Sequence, residues 1–325
     1  MAATTDAAAG GRQRARIPRR VRQLSWATWR GVLVRGGRNF VKDNCADWAA
    51  ALTYYGVLAL FPSAIVVVAL VGLVSDGPRT VDTVIDLARQ IGAGSVVGND
   101  AFGTVVRNVV EQQGSAKVLL SFGLLGALWS ASGFIGAFTR ASNAIYGVEE
   151  GRPFYRLRPV QIGLAGVSLV LLAVVAVGLI VSGPVTDFVG DRLHAGGLTR
   201  TVWTVAKWPL LALVAMTLLS LLFWIAPNVR QPRFRWLTPG GALALLAWVL
   251  ASFGFGLYVA NFGSYDVTYG SLGAVIAFLV WLYLSNCVLM LGVQVNAELQ
   301  RGRMMQAGVE HPDEPVLAPR ATPDS

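Results

Sequence analysis

The sequence predicts an all-α protein that crosses a membrane six times, with an amphipathic helix in front of the first span. Hydrophobic residues make up 54% of the 325 residues, and the mean hydropathy is +0.55. Charged residues make up only 14%, against about 25% in a typical soluble domain. The apolar residues also fall into runs of about twenty, which is the length that spans a bilayer as a helix.

The net charge of +9 comes from basic residues that lie beside the apolar runs, which is typical of a membrane protein and not of a nucleic-acid-binding protein. Ten of the 27 basic residues lie between Arg12 and Lys42, and most of the others lie in short connections between apolar runs. Positive charge beside membrane spans fixes their orientation. We therefore expect membrane lipids as partners, with envelope proteins or a second copy of the chain as further candidates, and no nucleic acid.

The chain begins with two segments that precede the first span. Residues 1–22 predict a disordered basic tail, because they are small, polar and arginine-rich. From residue 23 the pattern changes to that of an amphipathic helix, and two tryptophans favour a helix in the cytoplasmic membrane interface over an ordinary soluble helix. The apolar positions of this helix are Trp26, Trp29, Leu33 and Phe40.

Six apolar stretches predict the spans of one membrane domain, residues 23–305. The spans are 49–74, 118–138, 160–181, 202–226, 240–260 and 271–293. Pro62 lies in the middle of the first span, where a proline removes a backbone donor and predicts a kink. Residues 75–116 form a long extracytoplasmic loop, and residues 306–325 predict a disordered cytoplasmic tail.

Arginines in the connections predict the orientation. The connections after the second and fourth spans are rich in arginine, whereas those after the third and fifth carry few or none. Because basic connections stay in the cytoplasm, both termini are predicted to be cytoplasmic. The inner arginines either only fix this topology or also form a rim for anionic lipids, each contributing about 1 kcal/mol. They are Arg152, Arg156, Arg158, Arg230, Arg233 and Arg235.

Uncharged polar residues at membrane depth are candidates to line a cavity or pathway around the Pro62 kink. The alternative is that they hydrogen-bond between helices, each contributing about 0.6 kcal/mol. No acid lies in the middle of a span, so the sequence gives no support to proton coupling through a buried carboxylate. The candidate residues are Thr53, Tyr54, Tyr55, Ser130, Ser132 and Asn286.

The connection between the fifth and sixth spans predicts a structured outer hairpin, because its glycines permit backbone conformations that other residues avoid. Its candidate residues are Asn261, Tyr265, Tyr269 and Gly270.

The sequence carries no recognisable catalytic constellation. It has two histidines, His194 and His311, and its predicted inner-face acids are scattered. Metal-dependent phosphodiester chemistry needs clustered carboxylates or histidines. The nucleotide-binding, serine-hydrolase and zinc-protease motifs are also absent from the sequence. We therefore predict no cofactor, no metal site and no enzymatic activity.

Four stretches, in order along the chain, resemble a known family. They are Ala49-Ala50-Ala51-Leu52-Thr53-Tyr54-Tyr55 with Leu60-Phe61-Pro62; Trp129-Ser130-Ala131-Ser132-Gly133 with Asn143-Ala144-Ile145-Tyr146 and Arg152-Pro153-Phe154; Ala226-Pro227-Asn228 with Pro239-Gly240-Gly241-Ala242; and residues 258–265, 269–273 and 292–297.

Together these stretches resemble the YihY/virulence factor BrkB family of bacterial inner-membrane proteins, over about residues 30–303. The sequence departs from the family pattern at Gln294, where an acid is common, and at Ser142, where a leucine is common. The resemblance implies six helices and a plasma-membrane location. It carries an older ribonuclease label, regarded as a misassignment, and a link to transport of lipids or other envelope components.

The polar span residues, the inner arginines and the resemblance together predict a transporter of a lipid-like or anionic amphiphile. The alternative is a non-catalytic scaffold for envelope machinery, and a ribonuclease is the least favoured function.

Overall fold

Seven α-helices make up most of the part of the chain that the structure describes. The structure is a computed structural model, which describes residues 23–74, 116–180, 196–231, 234, 236–261, 271–309 and 316–323. In chain order the helices are α1 Trp26–Lys42, α2 Cys45–Val74, α3 Ala116–Tyr146, α4 Phe154–Ile180, α5 Gly196–Ile225, α6 Pro239–Asn261 and α7 Ser271–Gln306. The all-α class that the sequence predicted is confirmed for these residues.

Four helices in the described ranges are long and apolar enough to cross a membrane. They contain Phe154–Val175 in α4, Val205–Ile225 in α5, Pro239–Ala260 in α6 and Val275–Gln306 in α7. The predicted spans 49–74 and 118–138 lie within α2 and α3. The total of six spans remains a prediction.

Two helices continue well beyond their predicted spans. α3 runs on to Tyr146 and α7 to Gln306. With 36 residues, α7 is about 54 Å long, whereas the hydrocarbon core of a bilayer is about 30 Å thick. The C-terminal part of α7 therefore extends past the apolar layer and offers a surface on which other elements pack.

α1 packs along this extension of α7. Its start is capped by Ser25, whose side chain accepts a hydrogen bond from the backbone N–H of Thr28 at 3.1 Å. Val32 is fully buried and lies in one apolar cluster with Val295 and Leu299 of α7. The buried face of α1 therefore contacts protein.

The apolar residues predicted for the membrane-facing side of α1 are divided between two environments. Trp29 and Phe40 pack against the buried clusters. Trp26 and Leu33 are 80% and 50% exposed. Only the second pair is free to contact lipid, and the interfacial position of α1 remains a prediction.

A buried carboxylate fastens α1 to α7. Glu298 is fully buried and accepts hydrogen bonds from Arg35 Nε at 2.9 Å and from Asn39 Nδ2 at 2.8 Å. It also forms an ion pair with Arg301, one turn further along α7. Both arginines neutralise the carboxylate, so the burial of Glu298 is electrostatically balanced.

The apolar core lies where α2, α3, α5 and α7 meet. Phe138 and Phe223 stack with their ring centroids 6.0 Å apart. Leu52, Met290 and Ile145 are buried in the same cluster. In contrast, α4, α5 and α6 expose many large apolar side chains, as expected where lipid is the solvent.

α6 and α7 approach each other closely through two glycines. A Cβ added to Gly240 would lie 2.2 Å from the carbonyl oxygen of Gly292. A Cβ added to Gly292 would lie 2.9 Å from the side chain of Ala244. Small residues of this kind let helix backbones pack tightly within a membrane.

The structure describes two parts of the C-terminal region for which the sequence predicts disorder, residues 306–325. Residues 307–309 follow the end of α7, and residues 316–323 lie against the connection that follows α5. Val229 and Pro319 form an isolated antiparallel bridge. This segment bonds to the rest of the protein through its backbone, and it also buries Val316 and packs Leu317 against the core cluster.

Candidate functional site

The polar residues predicted at membrane depth form hydrogen bonds within and between helices. Asn286 of α7, only 4% exposed, donates from Nδ2 to Thr53 Oγ1 of α2 at 3.1 Å. Thr53 in turn donates to the carbonyl oxygen of Ala49 at 2.8 Å. These two residues therefore join α2 to α7.

The two tyrosines of the same motif point in different directions. Tyr54 is 62% exposed and lies edge-on to Tyr55, with ring centroids 5.4 Å apart. Tyr55 packs against α3, where a Cβ added to Gly133 would lie 3.4 Å from its ring. Ser130 and Pro62 are both half-buried, and α2 continues as a helix through the proline. The predicted cavity residues are thus only partly brought together.

Arg158 lies at the start of α4 among polar and aromatic groups of α3. Its Nη1 donates to Ser132 Oγ and to Gln161 Oε1, both at 3.3 Å. Its guanidinium lies 4.9 Å from the ring centroid of Trp129 and 5.9 Å from that of Phe154. Both distances are within the range of cation–π attraction.

A second guanidinium lies near Gln161, beside Gly136 of α3. Arg140 stands over the ring of Tyr55 at 5.9 Å. A Cβ added to Gly136 would lie 3.4 Å from the Gln161 amide nitrogen and 3.6 Å from Arg140 Nη1. The glycine therefore lets both polar side chains reach the same place. We call Arg140, Arg158, Gln161 and Ser132 the basic site.

The basic site combines burial with unbalanced positive charge. Ser132 is fully buried and Gln161 is 6% exposed, whereas Arg140 is exposed and Arg158 half-buried. In the described part of the chain, the guanidiniums of Arg140 and Arg158 form no ion pair. Guanidinium groups bind carboxylates and phosphates through paired N–H donors. The arrangement can therefore receive an anionic group at the edge of the bundle.

The aromatic side chains around the basic site face outward. Trp129 is 65% exposed and Phe154 is 73% exposed. Aromatic rings of this kind are enriched at the level of lipid headgroups. The site is therefore open towards the surroundings of the bundle and not towards its centre.

Arg152, predicted to be part of the lipid-binding rim, is instead used inside the protein. It forms a two-pronged ion pair with Glu150, at 2.7 and 2.8 Å. It also donates to the carbonyl oxygens of Ala226 at 2.7 Å and Ile225 at 3.4 Å, at the end of α5. Burial opposes ionisation of Glu150, but hydrogen bonds from Arg152 and Asn143 outweigh it and lower its pKa.

Three of the other predicted rim and hairpin residues lie within the described residues. Arg156 is exposed and lies 5.6 Å from the ring centroid of Tyr155. Arg230 is exposed beyond the end of α5. Asn261 is the last residue of α6. The remaining predicted residues lie outside the described residues, and they are Arg233, Arg235, Tyr265, Tyr269 and Gly270.

A small pocket of mixed polar and apolar lining lies between the end of α5, the start of α6 and α7. Its volume is about 60 Å³. Asn296 and Ser220 line it, and both are bonded within the protein: Asn296 accepts from the backbone N–H of Gly240, and Ser220 donates to the carbonyl oxygen of Trp236. Leu317 of the C-terminal segment forms part of the wall.

The acids of the described residues do not form a metal-binding group. No three His, Cys, Asp or Glu side chains cluster in these ranges. The half-buried Glu150 and the buried Glu298 are each held by arginines. Their contacts are those of structural ion pairs.

The sequence matches one family over most of its length. The family described as Virulence factor BrkB matches residues 37–316. The chain belongs to the BrkB family. This agrees with the resemblance found from the sequence motifs, and it establishes a membrane protein. No solved structure matches the chain.

Named relatives of this BrkB protein are described mainly as membrane proteins. A ribonuclease-like protein YfkH of Bacillus subtilis is 33% identical over 260 residues, covering 79% of this chain and 90% of the relative. A UPF0761 membrane protein of Rhodospirillum centenum is 31% identical over 284 residues, covering 86% of this chain and 60% of the relative. A UPF0761 membrane protein of Alkalilimnicola ehrlichii is 30% identical over 289 residues, covering 85% of this chain and 61% of the relative. The chain thus spans about three fifths of these two UPF0761 relatives.

Sequence reasoning missed two members of the basic site. Arg140 follows the predicted second span, and Gln161 lies within the predicted third span, residues 160–181. A signal was present for Gln161, because it lies three residues after Arg158 and therefore on the same face of α4. The contact with Arg140 depends on how α3 packs against α4, which no local pattern reveals.

Proposed function

We propose that this BrkB-family protein is a transporter of an anionic, lipid-like amphiphile in the bacterial plasma membrane. In this proposal the chain has six spans and both termini in the cytoplasm. The observation that carries the proposal is the basic site, where Arg158 bonds to the buried Gln161 and Arg140 lies near it, with no acidic partner for either arginine among the described residues.

The chemistry of the basic site favours a phosphate or carboxylate headgroup. Ser132 and Gln161 hold one nitrogen of Arg158, which orients the guanidinium and leaves its other N–H groups for a ligand. The neighbouring rings of Trp129 and Phe154 give the amphiphile an apolar contact beside the charge. Each arginine near an anionic membrane surface contributes about 1 kcal/mol.

A non-catalytic role is part of the same proposal. It is supported by the structural use of these two acids, since Glu150 holds Arg152 and Glu298 holds Arg35 and Arg301. The ribonuclease-like name belongs to the Bacillus relative. Release of RNA fragments by the purified chain, lost in the Glu150→Gln variant, would contradict a non-catalytic role.

The test is a transport assay in proteoliposomes with fluorescent phosphatidylglycerol and, separately, fluorescent phosphatidylcholine. Wild-type protein should move the anionic lipid between leaflets faster than the zwitterionic one. The double variant Arg140→Ala/Arg158→Ala should slow the anionic lipid roughly 30-fold, because the two arginines together contribute about 2 kcal/mol. Arg156→Ala is the matched control, since it removes an exposed arginine from the same helix outside the basic site.

Two results would reject the proposal. The first is folded wild-type protein that moves neither lipid. The second is equal loss of activity in Arg156→Ala and in the double variant, because that would assign the effect to overall charge. A stoichiometric protein partner in crosslinking, with no lipid movement, would instead support the scaffold alternative.

A further inference from the structure

The end of the chain occupies a groove between two connections of the bundle. We call residues 316–323 the strap, and we call Gly151, Asn228, Val229 and Arg230 the strap groove. The strap contacts the groove through backbone hydrogen bonds and is anchored by the side chain of Arg320. This form of contact suits any extended peptide that can present the same hydrogen-bonding groups.

The backbone contacts follow the pattern of an added strand. The backbone N–H of Arg230 donates to the carbonyl oxygen of Ala318 at 2.8 Å, and that of Arg320 donates to Asn228 at 3.1 Å. The Asn228 side chain then binds one residue of the strap twice. Its Nδ2 donates to the carbonyl oxygen of Ala321 at 2.8 Å, and its Oδ1 accepts from the N–H of Ala321 at 3.2 Å.

Arg320 is the side chain that anchors the strap. Its Nε donates to the carbonyl oxygen of Val229 at 2.8 Å, and its Nη2 donates to that of Trp224. Its guanidinium also lies 5.5 Å from the ring centroid of Trp224. The last carbonyls of a helix lack intrahelical donors and carry partial negative charge, so the end of α5 attracts a cation.

Two arginines compete for this helix end. Arg320 Nη1 and Arg152 Nη1 both donate to the carbonyl oxygen of Ile225, each at 3.4 Å. Burial, followed by the charge of Arg152, lowers the pKa of Arg320. Arg152 belongs to the folded bundle, whereas Arg320 lies on a terminal segment. Glu150, which pairs with Arg152, attracts Arg320 and opposes the repulsion between the two arginines.

Gly151 leaves room for the strap and for little else. A Cβ added there would lie 2.3 Å from the carbonyl oxygen of Ala321 and 2.5 Å from the carbonyl carbon of Thr322. The nearest atoms to that position all belong to the strap. Replacing this glycine by alanine therefore obstructs the strap while leaving the bundle contacts in place.

We propose that the strap groove is a peptide-binding site for an extended, arginine-bearing segment, and that the chain's own C-terminal strap is its exchangeable ligand. The family match ends at residue 316, so almost the whole ligand lies beyond the matched region while the groove lies within it. Because Leu317 forms part of the wall of the small pocket between α5, α6 and α7, release of the strap also opens that pocket.

The first test measures release of the strap in the full chain. Trypsin cleaves after arginine, and intact mass reports the loss of residues 321–325. In wild-type protein the Arg320–Ala321 bond should be protected, and in Gly151→Ala it should be cut at least tenfold faster. The matched control is Gly37→Ala, where nothing lies within 4 Å of the added methyl group. Equal cleavage of all three proteins would overturn the proposal.

The second test measures exchange with a fluorescent peptide of residues 314–325. The full-length Arg320→Ala chain has a weakened strap and an intact groove, so it should bind the peptide saturably and at least tenfold more tightly than wild type. The double variant Gly151→Ala/Arg320→Ala should bind it at least tenfold more weakly than the single variant. Equal binding by all three chains, or none by a folded Arg320→Ala chain, would reject the exchange. If Arg320→Ala does not fold, the cleavage rates of Gly151→Ala decide.

Discussion

Replacing Glu298 by glutamine tests whether one buried carboxylate holds α1 on the bundle. Glu298 is fully buried, and it accepts from Arg35 and Asn39 of α1 while pairing with Arg301 of its own helix. Glutamine keeps the size of the side chain and removes its charge. The perturbation therefore leaves two arginine charges without their counter-ion and creates little change in packing.

The expected cost follows from the burial of the partners. Removing one partner of a buried ion pair costs about 3–5 kcal/mol. The side chain of Arg35 is 24% exposed and that of Arg301 is 10% exposed, so both are partly solvated. We therefore expect a cost of about 3 kcal/mol, at the low end of that range. This corresponds to a roughly 100-fold increase in the population with α1 detached.

Cys45 provides a native probe of that detachment. Its side chain is fully buried in the core cluster against which Phe40 of α1 packs. Burial, together with the charges of Asp43 and Cys287, raises the pKa of the Cys45 thiol to about 12. Because the thiolate is the reactive form, maleimide labelling requires opening. In a Cys287→Ser background, Glu298→Gln should increase the labelling rate of Cys45 by up to roughly 100-fold.

The matched control for Glu298→Gln is Glu149→Gln. It removes an equal charge from an exposed position and should leave the rate of Cys45 labelling unchanged. If Cys45 of the folded Glu298→Gln protein is labelled no faster than Cys45 of the wild type, the Glu298 carboxylate does not hold α1 in place. The apolar contact between Val32 and Val295 would then be sufficient by itself.

Three further substitutions test other contacts, all by melting temperature in detergent. Gly240→Ala should destabilise the protein by about 3 kcal/mol, because its methyl group would overlap a backbone carbonyl of α7, whereas Gly256→Ala, with open space around it, should not. Burial opposes ionisation of Glu150, but Arg152 lowers the pKa of this carboxyl overall. The ionised Glu150 should therefore stabilise the protein fully above about pH 4.3, and this stabilisation should be lost as the pH falls through the folded-state pKa. In a titration from about pH 6 to pH 3, Glu150→Gln should remove that pH-dependent loss of stability. Gln294→Glu should destabilise the protein at pH 7 and less so at pH 5. The change replaces the amide that donates to Asp43, the residue after α1, by a second carboxylate beside it.

Hydropathy predicted the helices well because the solvent of these segments is lipid. Runs of apolar residues locate the spans, and each predicted span overlaps a helix of the structure. Hydropathy did not predict where α3 and α7 end, since both helices continue into charged sequence. The extension of α7 is stabilised by packing on α1 and by ion pairs such as Glu298–Arg35, whose partners lie more than 250 residues apart in the sequence. The extension of α3 instead buries Ala141 and Ile145 in the core cluster.

The inner arginines show why the site was harder to predict than the fold. Arg152 and Arg158 lie six residues apart and look equivalent in sequence. Arg152 caps the end of α5 because α5 ends beside it with unpaired carbonyls. Arg158 stands beside Trp129 of α3, at the edge of the bundle. Which role an arginine takes depends on the position of a helix end in another part of the chain.

The polar residues at membrane depth place a limit on the route of the proposed transport. Asn286 and Thr53 join α7 to α2, and the indole N–H groups of Trp248 and Trp281 donate to serines across the α6–α7 contact at 3.0 and 3.1 Å. Each such bond contributes about 0.6 kcal/mol within a membrane. A headgroup that passed between these helices would have to break them.

A headgroup bound at Arg158 meets no such obstacle. The guanidinium lies beside Trp129 and Phe154, which are both largely exposed at the outside of the bundle. Acyl chains can remain in the bilayer while the anionic group contacts the protein, so no bond between helices is broken. If the protein moves lipids as proposed, the route therefore follows the outer surface of α3 and α4. Substitution of residues on this surface, such as Arg158, should then slow transport more than substitution of Asn286.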